Sequence, residues 1–254
     1  MTAPHSVARA GELREYLHRA GKPFTSGELQ AMCQRGVMRH IIDEVYAEAV
    51  LPEGPAVRAA GALALLRPPL AEHCALCGES AAWVHLGTDP PRLVTVLVGA
   101  HADRQYSSGG VQQHRGSLGP EETQRWGPVA CTTPLRTAGD LFCGTGVRHL
   151  RRALDRILDG GSRAERILRQ WPAAQAPLLG RDEDLDSLGP EDERIVHQRW
   201  HTIGELLQKA DADPEQLADV VMRIVSRTGW DQRRRERIRQ LIAQCVSRRL
   251  PTVR

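Results

Sequence analysis

Residues 24–50 read FTSGELQAMCQRGVMRHIIDEVYAEAV, and this stretch decides the fold of the N-terminal part of the chain. Thr25 and Glu28 have the spacing of a capping box, in which each side chain accepts a hydrogen bond from the other residue's backbone N–H. A helix is therefore predicted to begin here, and Gly36 is predicted to end it. Its apolar positions lie on one face and predict the buried stripe Leu29, Met32 and Cys33.

The residues after this glycine are rich in β-branched and aromatic side chains. They predict two strands, Val37–Ile42 and Val45–Val50, which turn at Asp43-Glu44. Upstream, apolar residues three or four positions apart predict another helix over Val7–Ala20. Two helices followed by a hairpin are typical of a winged helix-turn-helix, although a small α+β module without a ligand has the same outline.

The composition bounds the class of protein. The chain has 254 residues, of which 41% are hydrophobic but only 4% aromatic, so its cores must be mainly aliphatic. No apolar run approaches the roughly 20 residues of a membrane span, and the first residues lack the apolar stretch of a secretory signal. We expect a soluble cytoplasmic protein with no membrane partner.

The pair Cys74-x-x-Cys77 is the motif that most resembles a metal or redox site. A structural zinc ion needs four ligands, and no second pair follows at the usual spacing. We expect no metal and two small buried side chains. No nucleophile elbow, phosphate loop or His-Glu-x-x-His motif occurs either. The sequence therefore predicts no catalytic residues, no cofactor and a function that depends on binding; an enzyme such as a nuclease lacks a recognisable site.

The remaining pattern predicts an α+β protein of three parts. Residues 1–50 form the winged-helix-like module, residues 51–161 a central mixed α/β domain, and residues 162–254 a helical bundle. The elements predicted for the central domain are the helices Ala56–Leu66, Ser80–Leu86, Pro134–Cys143 and Val147–Asp159 and the strands Arg92–Gly99, Gly110–Gly116 and Val129–Cys131. In the C-terminal part, Pro190 and Pro214 are predicted to begin helices.

Charge is distributed unevenly along the C-terminal part. Asp182–Asp219 contains twelve acidic and three basic residues, a net charge of −9, whereas Arg223–Arg254 carries +8. Such asymmetry is typical of a nucleic-acid-binding end beside an acidic connector, and equally of two helices that neutralise each other. A dense patch that would neutralise DNA phosphates, or else pair with the acidic segment, is formed by Arg233, Arg234, Arg235 and Arg237.

Several pieces of sequence, taken in order, resemble the AbiEi-type antitoxins of abortive-infection toxin–antitoxin pairs. They are VYAEA (45–49), SAAWVHLG (80–87), VTVLV (94–98), VQQHRGSLGPEE (111–122) and VACTTPLRTAGDL (129–141). The resemblance covers about residues 20–160. It implies a transcriptional regulator whose winged helix binds double-stranded DNA at its own promoter. It also implies an α/β domain that counteracts a nucleotidyltransferase-like toxin without forming a stable complex with it.

The DNA contacts expected from the sequence are in two places. Ser26, Gln30 and Gln34 fall on one polar helical face, where they can read base edges. The cations that flank the turn into the hairpin, and would face phosphates, are Arg35, Arg39 and His40. The acidic turn Asp43-Glu44 departs from a basic wing tip and would repel phosphate. Two hypotheses follow: the arginines of the last helix take over DNA contact, or the chain is a protein-interaction scaffold that no longer binds DNA.

Arg136 and Asp140 have the spacing of the corresponding pair in the antitoxin family. They are either a polar patch that contacts a partner or an i,i+4 pair that holds the helix against the preceding strand. The second interpretation is favoured.

Overall fold

The computed structural model of the protein describes residues 12–21, 23–99, 110–145, 190–225 and 232–247. It contains helices and two separate β-sheets, which confirms the α+β class. The chain divides into two compact units, Met1–Thr133 and Pro134–Arg254. Residues 1–50 and 51–133 therefore belong to one unit. The predicted boundary between residues 161 and 162 and the predicted helix Val147–Asp159 lie outside the described residues.

The first unit begins with a 3-10 turn at Glu12–Tyr16, followed by strand β1 (Leu17–Arg19), helix α1 (Ser26–Gln34) and the hairpin of β2 (Met38–Ile42) and β3 (Val45–Glu48). These strands form an antiparallel sheet in the order β1-β3-β2. The predicted hairpin is confirmed, and Asp43 occupies its turn with a φ of +48°.

The predicted helix over Val7–Ala20 is wrong from Leu17 onward, where strand β1 follows the 3-10 turn at Glu12–Tyr16. Leu17 lies opposite Ala47 in the sheet, and the backbone N–H of Ala20 donates to the carbonyl of Glu44 at 2.9 Å. Pairing with the central strand β3 satisfies the backbone groups that a helix would have bonded internally, and Leu13 is still buried. Long-range pairing thus overrides the local helical spacing. Residues 7–11 lie outside the described residues.

The three-stranded sheet lies between two helices. On β3, Val45 and Ala47 face the larger hydrophobic cluster of the first unit, here called the main core, and α2 (Pro55–Ala64). Tyr46 faces α1. This is the alternation expected of a strand buried on both faces. Contact with α2 is close, because a Cβ added to Gly61 would lie 2.6 Å from Cγ2 of Ile41.

The rest of the first unit builds a five-stranded sheet that shares this core. The strands are β4 (Cys74–Leu76), β5 (Val94–Val98), β6 (Val111–Arg115), β7 (Thr123–Trp126) and β8 (Val129–Thr132), with helices α3 (Pro68–Ala71) and α4 (Gly78–Leu86) and a 3-10 turn at Pro120–Glu122. The strand order in the sheet is β6-β5-β4-β8-β7. Its β4–β8 and β5–β6 pairs are parallel, and the other pairs are antiparallel.

The second unit is helical in its described part. It contains α5 (Pro134–Phe142), α6 (Pro190–Ala210), α7 (Pro214–Val225) and α8 (Gln232–Ser247). Helix α5 packs against α6 and α7, and α7 packs against α8. The rings of Phe142 and Trp200 meet edge to face with centroids 5.8 Å apart. No helix among the described residues has the length and apolar character that crossing a membrane requires.

Candidate nucleic-acid interface

Helix α1 is held at its start by the capping box that the sequence predicts. The carboxylate of Glu28 accepts from both the backbone N–H and the hydroxyl of Thr25 at 2.8 Å, and Thr25 Oγ1 accepts from the Glu28 N–H at 3.3 Å. These hydrogen bonds, from the backbone first and the hydroxyl second, lower the pKa of Glu28. The negative charge of Glu28 is therefore part of the cap at the start of α1.

The same helix projects from the surface of the first unit. Leu29 is its only buried residue, and it packs with Met38 and Tyr46 of the hairpin in a cluster that Met32 and Cys33 border. The other side of the helix is solvent-exposed and consists of small or uncharged polar residues, namely Ser26, Gly27, Gln30, Ala31 and Gln34. The helix ends at Gly36, which has a φ of +72°.

Two of the predicted cations lie on the α1 side of the sheet. Arg35 is exposed directly after the helix. His40 lies opposite Tyr46 in the register, with the two rings edge to face at 5.2 Å, and its Nε2 is 2.6 Å from the carbonyl oxygen of Asp43. Both side chains are therefore exposed on the side of the sheet that carries α1.

Arg39 does not join this group. It lies opposite Ala47, whose side chain is in the main core, so it points to the other face of the sheet. The guanidinium is half-buried, and its Nη2 donates to the carbonyl of Leu51 at 3.1 Å. Arg39 thus links β2 to the segment after β3.

The acidic hairpin turn lies beside the five-stranded sheet. A Cβ added to Gly110 would be 4.0 Å from Oδ2 of Asp43, and the carbonyl of Gly110 accepts from the N–H of Val94 at the start of β5. Asp43 and Glu44 are nevertheless exposed, with the Asp43 carboxylate near the connection into β6.

The arginines of α8 face different surroundings. Arg235 pairs with Asp219 and lies 3.9 Å from Glu215, both on α7, and Arg239 pairs with Glu215. These contacts match the alternative interpretation of the C-terminal charges, in which the basic helix pairs with the acidic one. Arg233 is exposed and Arg237 half-buried on the same helix. Arg234 belongs to α8, but its side chain lies outside the described residues.

The motif SAAWVHLG has a structural explanation. Ser80 Oγ accepts from the Thr95 N–H at 2.8 Å, and His85 Nε2 is 2.7 Å from the carbonyl oxygen of Thr132, to which it must donate. Arg58 of α2 donates from its Nη2 to the carbonyl of Val84, near the end of α4, at 2.9 Å. The polar residues of this motif therefore attach α4 to the strands and to α2.

The other polar pair that the resemblance emphasises, Arg136 and Asp140, is also buried. Arg136 Nε donates to Asp140 Oδ1 at 3.0 Å within α5, and the two residues are 4% and 0% exposed. The favoured interpretation as an i,i+4 pair describes this geometry, although the pair lies in the interior and not at the surface. A residue so buried has no surface to offer a partner.

The Cys74 thiol of the Cys74-x-x-Cys77 motif does not have the environment of a reactive thiol. Cys77 is buried at the cap of α4, and burial raises the pKa of Cys74 to about 12. A thiol with this pKa stays protonated at neutral pH, whereas the thiolate is the form that binds metals and attacks. Among the described residues, no group of three or more metal-ligating side chains comes together.

No family model matches the chain, and its comparison with curated proteins gives no match. The resemblance to the antitoxin family therefore rests on the residues quoted above.

Proposed function

We propose that the chain is a DNA-binding transcriptional regulator of the antitoxin type, which inserts α1 into the major groove of duplex DNA and acts by binding, without catalysis. The observation that carries the proposal is the exposure of α1, in which only Leu29 is buried. An α-helix is about 10–12 Å across, and the major groove is about 12 Å wide, so a helix anchored along one stripe can enter it.

The surroundings of α1 support the same proposal. A three-stranded sheet in the order β1-β3-β2 backs the helix. Arg35 is exposed directly after the helix, and His40 is exposed on the α1 side of the sheet. In this proposal the target is the promoter of the protein's own operon, and a nucleotidyltransferase-like toxin is a functional partner that need not bind.

A protein-interaction scaffold is the second candidate. The observation that favours it is the pairing of Arg235 and Arg239 with Glu215 and Asp219, which neutralises part of the cationic surface of α8. In the scaffold, the polar face of α1 would contact a protein, and no duplex would be bound.

Binding of the full chain to a duplex of its own upstream DNA, measured by fluorescence anisotropy at several salt concentrations, tests the proposal. Affinity should fall as salt rises, because phosphate contacts release counterions. The paired change Gln30→Glu with Gln34→Glu should abolish binding, since it places two carboxylates against the groove.

The matched control is Gln208→Glu with Gln216→Glu, which adds the same charge at exposed positions of the second unit. This control should bind as the wild type does. Equal affinities for the control and the α1 variant, or no binding of the wild type at low salt, would contradict the proposal.

A further inference from the structure

The exposed face of α1 carries no charge. It consists of positions 26, 27, 30, 31 and 34, which lie on one side of a helix because their spacing follows its turn. The only charged residue in α1 is Glu28, and its carboxylate is bound to Thr25 at the cap. Any ligand that meets this face meets amides, a hydroxyl and methyl groups.

Two glutamines dominate this surface. Gln30 and Gln34 are both exposed and are four residues apart, so their amides project from the same side of α1. A glutamine amide offers one acceptor and two donors, which match the N6 donor and the N7 acceptor of adenine in the major groove. Guanine presents two acceptors there and is best matched by arginine or lysine, which this face lacks.

We propose that Gln30 and Gln34 make α1 selective for A·T base pairs, so that the operator contains an adenine where each amide meets the groove. The inference rests on the proposed function and adds its sequence preference. The two glutamines are about 6 Å apart along the helix, too far for both amides to reach one base edge. Each amide therefore meets its own base pair.

The neighbours of the glutamines fit this arrangement. Ala31 is exposed on the same side of the helix. Apolar side chains of this kind contact the thymine methyl group, which occurs only at A·T pairs. Nothing lies within 4 Å of a Cβ added to Gly27, so the backbone there is open to a close approach by the bases.

The charge that favours DNA over a neutral partner is at the end of the helix. Arg35 is exposed directly after α1, where a phosphate beside the groove would meet it. Because the amides make base contacts and Arg35 makes a phosphate contact, changes at these positions have different consequences. Loss of Arg35 weakens binding to all sequences alike, whereas loss of a glutamine changes which sequence is preferred.

Selection of bound duplexes from a randomised library by the full chain, followed by sequencing, tests the preference. The selected sites should contain two A·T pairs at a fixed spacing. Gln30→Ala and Gln34→Ala should each lower the preference for adenine at one of these positions about tenfold. Gln34→Arg should convert one position from adenine to guanine, a change that a merely structural role would not produce.

Circular dichroism of each variant verifies that it is folded, and Gln208→Ala is the matched control on an exposed helical position of the second unit. Duplexes bound without an A·T preference, or with one that the α1 variants leave unchanged, would overturn the inference and leave DNA binding intact. Failure of the wild type to bind any duplex would overturn the proposed function as well.

Discussion

Arg136 donates to the carboxylate of Asp140 at 3.0 Å in the interior of the second unit, where neither side chain is more than 5% exposed. A buried ion pair has given up hydration of both charges, and their mutual attraction offsets that cost only while both partners are present. The presence of the pair is therefore weak evidence of net stabilisation, but loss of either partner alone should be costly.

Asp140→Ala should strongly destabilise the protein, because it leaves the guanidinium of Arg136 buried without its carboxylate. Loss of one partner from a buried pair lowers the free energy of unfolding by about 3–5 kcal/mol. Denaturant unfolding measures this change. Glu215→Ala, which breaks the exposed pair with Arg239, is the control and should have a much smaller effect. Similar losses in the two variants would contradict the assignment of Arg136–Asp140 to the core.

Gly139 allows α5 and α7 to approach closely. A Cβ added there would lie 2.6 Å from Cγ1 of Val220 and 3.0 Å from Cδ1 of Ile224. We expect Gly139→Ala to lower the free energy of unfolding by about 1–3 kcal/mol, since overpacking outweighs the better helix propensity of alanine. Gly27→Ala is the matched change on a helix with open space around it and should stabilise by up to about 1 kcal/mol. Thermal unfolding shows whether each variant is less or more stable than the wild type. Stabilisation by Gly139→Ala would refute the close approach of α5 and α7.

Ser80 holds α4 to the sheet through its hydrogen bond from the Thr95 N–H. Ser80→Ala should cost about 1–3 kcal/mol, because it leaves a buried backbone donor without this acceptor. Ser26→Ala removes an exposed hydroxyl from α1 and should change stability little. Urea unfolding midpoints separate the two cases, and a Ser80→Ala variant as stable as the wild type would show that another acceptor replaces the hydroxyl.

Much of this fold follows from local sequence rules. The capping box at Thr25 and Glu28 was predictable because it needs only residues three apart. The buried strand β5 was predictable from its continuous apolar run. The short strands β1 and β4 were missed because three residues carry too little pattern, and their partners Ala47 and Val98 are distant in sequence.

The candidate site was predictable only where local spacing in the sequence determines it. The polar face of α1 follows from helical spacing, and the structure brings Ser26, Gln30 and Gln34 together at the surface. Arg39 and His40 were grouped as neighbours in the sequence, yet adjacent residues of a strand point to opposite faces. The alternation of side-chain direction along the hairpin strands is the signal that separates Arg39 from His40. The proximity of Asp43 to Gly110 had no local signal in the sequence.

Alkaline pH should destabilise the first unit through Cys74. Burial raises the pKa of its thiol from 9.0 to about 12, so the folded chain keeps a proton that the unfolded chain releases. The contribution is fully present below pH 9 and is lost as the pH rises toward 12. We expect the free energy of unfolding to fall over this range, and to fall less steeply in Cys74→Ala. Identical pH profiles for the two proteins, measured by urea unfolding, would contradict a protonated Cys74.

Hydrogen–deuterium exchange of the full chain, with and without a duplex that it binds, tests the central claim most directly. If α1 enters the groove, DNA should slow amide exchange over Ser26–Gln34 and the adjacent Arg35. Exchange over α8 should change little, because Arg235 and Arg239 already pair with α7. Protection confined to Gln232–Ser247, with none over α1, would contradict the account.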